Sequence, residues 1–200
     1  MNILGIHSGV TIGQHDPGAA LIMDGKIVAV IEEERLIRIK SPRAYLPIRS
    51  IAACLKEGGI SIKDVDILAH PGETYEDMPA RIQSYMRHYF GHCPEIRMIN
   101  HQMAHLASAY YCSGFEDAMC ISWDAYGDRL SASFATASRS DGIKVMETRD
   151  SEHSLGNFYA ALTSYIGFDA GEDEFKVMGL APYGNKRIDL SRFIRPSNDG

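Results

Sequence analysis

Two copies of one short pattern constrain the fold of this chain more than any other feature of its sequence. In the first copy, an apolar strand over Asn2–Ile6 leads through a loop to a hairpin around Asp24-Gly25, because both turn residues tolerate positive φ. In the second, a strand over Ala118–Trp123 leads through the polar loop Asp124–Asp128 to a hairpin around Asp141-Gly142. The chain is therefore predicted to begin the same three-stranded antiparallel arrangement twice.

Helix and strand signals alternate between the two copies. Apolar residues recur at i, i+3, i+4 and i+7 in Ile48–Leu55, behind a proline and ahead of two glycines, which predicts an amphipathic helix. The same reasoning predicts strands at 65–69 and 96–99 and helices at 78–89 and 101–111. The first segment is thus predicted to run βββαβαβα.

This order predicts an α/β fold of the actin-like class, built from duplicated ribonuclease-H-like lobes with a ligand cleft between them. Residues 1–113 would form one full lobe, and residues 114–200 the N-terminal part of a second, incomplete one. A helix over 155–166 is predicted to follow the second hairpin, with no further strand after it. The alternative that remains open is a self-contained α+β domain.

Composition excludes several classes of function. The net charge of −6 argues against a nucleic-acid or anionic-membrane surface, and 45% apolar residues predict a packed core. The N-terminus does not resemble a signal peptide, and no apolar stretch is long enough to span a membrane. The four cysteines form no CxxC pair, which favours reduced thiols and a cytoplasmic location. Oligomeric state is left undetermined.

His101, His105 and Asp124 form the strongest candidate site. The two histidines stand four positions apart at the start of a predicted helix, so their imidazoles share one helix face. Asp124 follows at the end of the next predicted strand. Two imidazoles and a carboxylate suit iron, manganese or zinc, while the alternative is a pair of surface or interface histidines.

Three other segments carry candidate chemistry. Asp128 closes an acid-Gly-acid loop that, in an actin-like lobe, would meet a phosphate and a divalent cation, or would simply form an acidic turn. His15 could act as a general base or be a hydrogen-bonded loop histidine. The charged run Glu32–Lys40 is either a solvated face or a source of cations, Lys40 among them, for a phosphate or carbamoyl oxygen. Glu172–Lys176 is predicted as a charged loop before a short helical turn.

Four strings together carry a family resemblance. HDPGAALIMDGKIVAVIEEER, HQMAHLASAYYCSGF, ISWDAYGD and EFKVMGLAPYG resemble, in order and spacing, the O-carbamoyltransferases of nodulation-factor and antibiotic biosynthesis. The resemblance implies an N-terminal domain similar to the tRNA threonylcarbamoyladenosine synthase, with the actin-like fold. It also implies a C-terminal domain, absent from these 200 residues, that makes carbamoyl-adenylate from carbamoyl phosphate and ATP.

The resemblance also implies roles for individual residues. His101, His105 and Asp124 match the family's metal ligands, and a further aspartate ligand would lie beyond Gly200. His15 matches a histidine beside the acceptor hydroxyl. The expected contacts with nucleotide or carbamoyl-adenylate fall on these residues: Lys40, Asp128, Glu172 and Lys176, with Glu174 in the same signature loop. The segment His7–Gln14 is longer than the family's turn, and Asn100 and Ala125 replace the family's more usual His and Gly.

The resulting expectation is the N-terminal part of an ATP-dependent O-carbamoyltransferase. A divalent metal, iron first and manganese or zinc as alternatives, would assist transfer to a small-molecule hydroxyl acceptor, with neither nucleic acid nor membrane as partner. One alternative is an actin-like phosphotransferase with Asp124 and Asp128 around Mg²⁺. Another is a non-catalytic binding module.

Overall fold

The structure is a computed structural model that describes residues 1–7, 15–191 and 193–194. It divides into two compact units, Met1–Gly156 and Asn157–Gly200. Residues 8–14 of the long loop noted in the sequence lie outside the described residues. In the part of the chain that is described, every helix is too short or too polar to cross a membrane. The lobe boundary at residue 113 and the cytoplasmic location stay predictions.

The first unit begins with a five-stranded mixed sheet. Its strands follow the order β3-β2-β1-β4-β5; β2 is antiparallel to both of its neighbours, whereas β4 and β5 run parallel to β1. The elements are β1 (Asn2–His7), β2 (Gly18–Met23), β3 (Lys26–Glu32), α1 (Glu33–Ile37), α2 (Ile48–Gly58), β4 (Ile67–Pro71), α3 (Met78–Phe90), β5 (Glu95–Ile99) and α4 (His101–Ser113). The α/β class and the predicted βββαβαβα order of an actin-like lobe are confirmed, with the short α1 added.

One face of this sheet forms the main core. Leu4 and Leu21 are paired across β1 and β2 and are fully buried in one cluster with Ile51 of α2 and Ile82 of α3. Full burial of a side chain of this size contributes roughly 1.5 to 3 kcal/mol. The β2–β3 turn at Asp24-Gly25 has positive φ at both residues, as the sequence predicts.

The charged run after β3 contains a buried residue. Glu33 is only 2% exposed, and its carboxylate accepts hydrogen bonds from the N–H groups of Arg49 and Ser50 and from the Ser50 hydroxyl. These are groups in the first turn of α2, where backbone N–H groups lack helical partners. The prediction of a solvated face is therefore wrong for Glu33, because its carboxylate is buried and caps the start of α2.

The second sheet is a three-stranded antiparallel meander of β6 (Asp117–Gly127), β7 (Leu130–Ser138) and β8 (Gly142–Asp150). Leu106 and Tyr110 of α4 pack on its small residues, Cys120 and Ala135 among them. The loop predicted at 124–128 is wrong in part, since β6 continues to Gly127 through a bulge after Trp123. The bulge accommodates polar residues inside a strand, which sequence patterns alone do not distinguish from a loop.

The second unit contains most of α5 (Leu155–Tyr165) and all of α6 (Glu174–Leu180). A single 3₁₀ turn at Ala181–Tyr183 follows, and Gly184 ends it. The predicted charged loop, short helix and Pro/Gly stop are thereby confirmed as local structure.

Candidate functional site

Three side chains converge at the start of α4. His101 is the first helical residue, and His105 lies one turn later on the same face. The Nε2 atom of His101 is 2.6 Å from Oδ2 of Asp124 and 3.0 Å from Nε2 of His105. The His105 Nε2 atom lies 3.4 Å from the same Asp124 oxygen. The predicted ligand set is therefore brought together, with Asp124 supplied by the bulge of β6.

The donor atoms fit a transition-metal ion. Metal–ligand bonds of 2.0–2.1 Å at a tetrahedral angle place donors about 3.4 Å apart, so small side-chain movements suffice here. The His105 side chain is 53% exposed and that of Asp124 29% exposed, which leaves one side of the group open to solvent. Two imidazoles and one carboxylate are ligands for iron, manganese or zinc.

The electrostatics of the group favour an ionised carboxylate. Burial opposes ionisation of Asp124, but hydrogen bonds with His101 and His105 and from the Ala125 N–H outweigh it and hold its pKa well below the ordinary range. The hydrogen bond with Asp124 raises the pKa of His105 above its ordinary value. The site is thus built around a fixed negative charge that a cation would share.

Two neighbouring residues shape the first turn of α4. Asn100, one of the departures from the family pattern, caps the helix because its side-chain oxygen accepts a hydrogen bond from the Met103 N–H at 3.1 Å. Gly127 leaves room for the His101 ring, since a Cβ at that position would lie 2.0 Å from the ring's Cδ2 atom. The sequence marked Gly127 only as a loop glycine.

Asp128 does not join the three convergent side chains. Its carboxylate is buried and accepts hydrogen bonds from the N–H groups of Glu73, Thr74 and His101 and from the Thr74 hydroxyl. Burial opposes ionisation, but these four donors outweigh it and lower the pKa of Asp128. The expected contact of Asp128 with a nucleotide stays a prediction, and the sequence analysis did not predict these four hydrogen bonds.

The other two candidates from the first lobe, His15 and Lys40, each contact an acidic side chain close to them in the sequence. The Nδ1 atom of His15 lies 2.7 Å from the carboxylate of Asp16, and the His15 side chain is about half exposed. The Lys40 ammonium group binds both oxygens of Glu34 at 3.2 and 3.3 Å. The roles of His15 as base and Lys40 as cofactor ligand stay predictions.

His7, at the C-terminal end of the central strand β1, is a polar residue that sequence reasoning missed. It ends β1 and, with His70, lines a cavity of about 440 Å³ beside α4. Burial lowers the pKa of His7, and the neighbouring His15 and His101 lower it further. Its position at the end of the first strand of the first meander, matching Asp124 in the second, is the signal that could have identified it.

The remaining candidates, Glu172 and Lys176, belong to the second unit. The Lys176 ammonium lies 2.6 Å from the Asp173 carboxylate, and the Glu174 carboxylate accepts a hydrogen bond from the Gly171 N–H. These pairs stabilise the start of α6. The expected position of Glu172 and Lys176 near a cleft stays a prediction.

Comparison with known proteins gives consistent matches. A family model described as the carbamoyltransferase N-terminus matches residues 3–89 and 73–194. The chain is 33% identical to the nodulation protein NolNO of Sinorhizobium fredii over 193 residues, which is 86% of this chain and 28% of that protein. It is also 33% identical to an uncharacterised protein of Synechocystis sp. over 223 residues, covering 91% of this chain and 35% of that protein.

Among solved structures, component A of (R)-2-hydroxyglutaryl-CoA dehydratase from Acidaminococcus fermentans aligns over 96% of this chain and 62% of that one. Sequence identity is 12% and the TM-score is 0.49. The chain spans only part of the two sequence relatives described above, 28% of the length of one and 35% of the length of the other.

Proposed function

Because the chain belongs to the carbamoyltransferase N-terminus family, we propose that it is the part of an ATP-dependent O-carbamoyltransferase that handles the acceptor hydroxyl. In this proposal the carbamoyl group starts on carbamoyl phosphate and passes through carbamoyl-adenylate to a sugar-like or natural-product acceptor. The observation that supports it is the convergence of His101, His105 and Asp124 on one point. Nucleic acid and membranes have no part in it.

His101, His105 and Asp124 would hold a divalent metal, iron first and manganese or zinc as alternatives. When bound, such an ion supplies Lewis-acid polarisation of a carbonyl oxygen. The chain's own contribution is a partly exposed donor set with an ionised carboxylate at its centre. The partial exposure of His105 and Asp124 gives an acceptor and the carbamoyl group a route to the same point.

His15 is proposed as the general base. Its Nδ1 atom faces the Asp16 carboxylate at 2.7 Å, an arrangement that orients the ring and leaves Nε2, on the opposite side, for the acceptor hydroxyl. Lys40 is proposed to offset negative charge on carbamoyl-adenylate, exchanging its present partner Glu34 for the ligand. Glu172 and Lys176 are proposed, from the family pattern alone, to contribute on the nucleotide side.

The alternative phosphotransferase has less support. It needs Asp124 and Asp128 to share Mg²⁺, yet the Asp128 carboxylate already accepts four hydrogen bonds from the protein. A carboxylate offers about four acceptor positions, so binding a cation would require breaking these bonds. Isothermal titration with Mg-ATP discriminates the two: tight Mg-ATP binding without a transition-metal site would favour phosphoryl transfer.

The metal site is tested by metal analysis of the purified chain after incubation with Fe(II), Mn(II) or Zn(II) and removal of excess ion. We expect close to one equivalent in the wild type and almost none in His101→Ala/His105→Ala. The matched control is His88→Ala/His92→Ala, which removes two histidines at and beyond the end of α3 and should retain the metal. Equal metal content in all three proteins would refute the site.

The transfer reaction is tested with the complete gene product, labelled carbamoyl phosphate, ATP and a panel of hydroxylated acceptors. We expect label in an acceptor ester, and much less of it when His15 is replaced by Ala. These 200 residues alone are expected not to release pyrophosphate from ATP with carbamoyl phosphate. Pyrophosphate release by them would show that activation and transfer are not divided as proposed.

A further inference from the structure

We propose that Asp128 is a positioning residue for the metal site: its buried carboxylate fixes the first turn of α4 and thereby holds the His101 imidazole opposite Asp124. The inference rests on the proposed metal site and extends it to a residue that ligates nothing. It assigns to Asp128 a role that neither the spacing of the candidate ligands nor the family resemblance supplied.

The carboxylate of Asp128 joins three segments of the chain. Oδ2 accepts hydrogen bonds from the His101 N–H at 2.7 Å and the Glu73 N–H at 3.0 Å. Oδ1 accepts hydrogen bonds from the N–H and the hydroxyl of Thr74, both at 2.9 Å. The residue is 5% exposed, so these bonds are shielded from competition with water.

Asp128 is connected to two of the proposed metal ligands, to Asp124 along the chain and to His101 through a backbone hydrogen bond. Asp124 and Asp128 lie on one bulge-and-turn segment, four positions apart. The Asp124 carboxylate contacts the His101 ring, and the Asp128 carboxylate accepts a hydrogen bond from the His101 N–H. Any shift of α4 relative to the β6–β7 turn would therefore stretch both contacts, so the Asp128 bond fixes the separation on which the donor geometry depends.

The backbone at the turn is consistent with this role. Asp128 and Arg129 both have positive φ, 52° and 67°, a conformation that costs free energy in residues other than glycine. Aspartate and asparagine tolerate it better than most residues. Asp128→Asn therefore preserves the turn and the side-chain shape while it replaces one acceptor oxygen with an N–H donor.

Glu33 provides a matched control inside the same chain. It is also a buried carboxylate at the start of a helix, and it accepts two backbone N–H groups and one hydroxyl from α2. None of its described hydrogen-bond donors is a proposed metal ligand. Glu33→Gln should therefore destabilise the fold by the same mechanism without displacing the metal ligands.

The experiment measures Co(II) affinity by visible absorption titration, together with thermal unfolding of each protein. We expect Asp128→Asn to weaken Co(II) binding roughly 10- to 100-fold, the range for residues that orient metal ligands, and Glu33→Gln to change it less than about 2-fold. Equal weakening in the two variants at equal loss of thermal stability would overturn the proposal. Thr74→Val, which removes only the hydroxyl donor, should weaken binding a few-fold and serves if Asp128→Asn does not fold.

A metal-independent measurement separates this inference from the proposed function. In the metal-free protein at constant pH, the imidazole NMR signals of His101 and His105 should move in Asp128→Asn and stay in place in Glu33→Gln. If the wild type binds no Co(II), the metal site fails, but these signals still report on Asp128. Unmoved signals in Asp128→Asn would refute the positioning role in either case.

Discussion

The two sheets begin with the same three-stranded meander but differ in what covers their apolar faces. In the first, the cross-strand pair Leu4 and Leu21 is fully buried with residues of α2 and α3. In the second, the equivalent pair is Ile121 and Phe134, and Ile121 is 55% exposed in the described structure. Equivalent strand positions are thus buried in the first sheet and, at Ile121, largely exposed in the described part of the second.

α4 is shared by the two sheets and explains where the site lies. Leu106 and Tyr110 of this helix pack on the second sheet, while Ala104 and Ser108 line the cavity on the first. Two of the metal-ligand candidates, His101 and His105, lie at the start of this helix, and the third, Asp124, lies beside them near the end of β6. The comparison shows that packed helices bury the apolar residues of each sheet, whereas the candidate metal ligands lie where the end of β6 meets the start of α4.

The largest expected effect is a difference in the free energy of unfolding lost at two equivalent positions, Leu4 in the first sheet and Ile121 in the second. Leu4→Ala should lower the free energy of unfolding by about 3 to 4 kcal/mol, because it leaves a cavity in a packed core. Ile121→Ala should lower it by less than about 1 kcal/mol, since much of that side chain already contacts water. Urea unfolding measures both; equal losses would mean that the second face is covered in solution.

A pH effect of slightly smaller size should come from a buried histidine of the first sheet. Burial lowers the pKa of His70, in β4, from 6.5 to about 4, whereas the second sheet contains no histidine. Between these pH values the unfolded state binds more protons, so acidification from pH 6.5 to pH 4 should cost about 3 kcal/mol of stability. Stability curves of His70→Gln should lack the His70 component and retain the component from His7, and those of the exposed-site control His88→Gln should keep both.

The smallest expected effect is a change in Co(II) affinity when one glycine from each meander is replaced by alanine. Gly127→Ala places a methyl group against the His101 ring, so Co(II) binding should weaken at least about 10-fold, or roughly 1.4 kcal/mol. Gly5→Ala in β1 meets only the Ala20 carbonyl oxygen at an ordinary 3.8 Å and should leave Co(II) affinity unchanged. Unchanged affinity in Gly127→Ala would show that the His101 ring moves without cost to the site.

Much of the fold was predictable because its signals are local. Apolar periodicity placed α2 and α3 correctly, and the Asp24-Gly25 turn followed from residues that adopt positive φ. The continuation of β6 through Asp124 to Gly127 was not predictable, because polar residues and a glycine have the composition of a loop. Only pairing with β7 makes that segment a bulged strand.

The candidate ligands could also be named from the sequence, but their supports could not. His101 and His105 follow from helical spacing, and Asp124 from its place at a strand end. The roles of Asp128 and Glu33 depend on backbone N–H groups 16 to 55 positions away, which no local pattern encodes. The four hydrogen bonds that the buried Asp128 carboxylate accepts are the clearest example.

The amino-acid sequence by itself determined the order of helices and strands, the repeated meander and the residue types able to bind a metal. These depend on periodicity and on chemistry intrinsic to each side chain. The tertiary structure alone decided which carboxylates are buried, which apolar face is covered and how closely the Asp124 carboxylate approaches His101. The physical reason is that desolvation and hydrogen-bond pairing depend on distances between distant segments, and those distances exist only after the sheets and α4 have packed together.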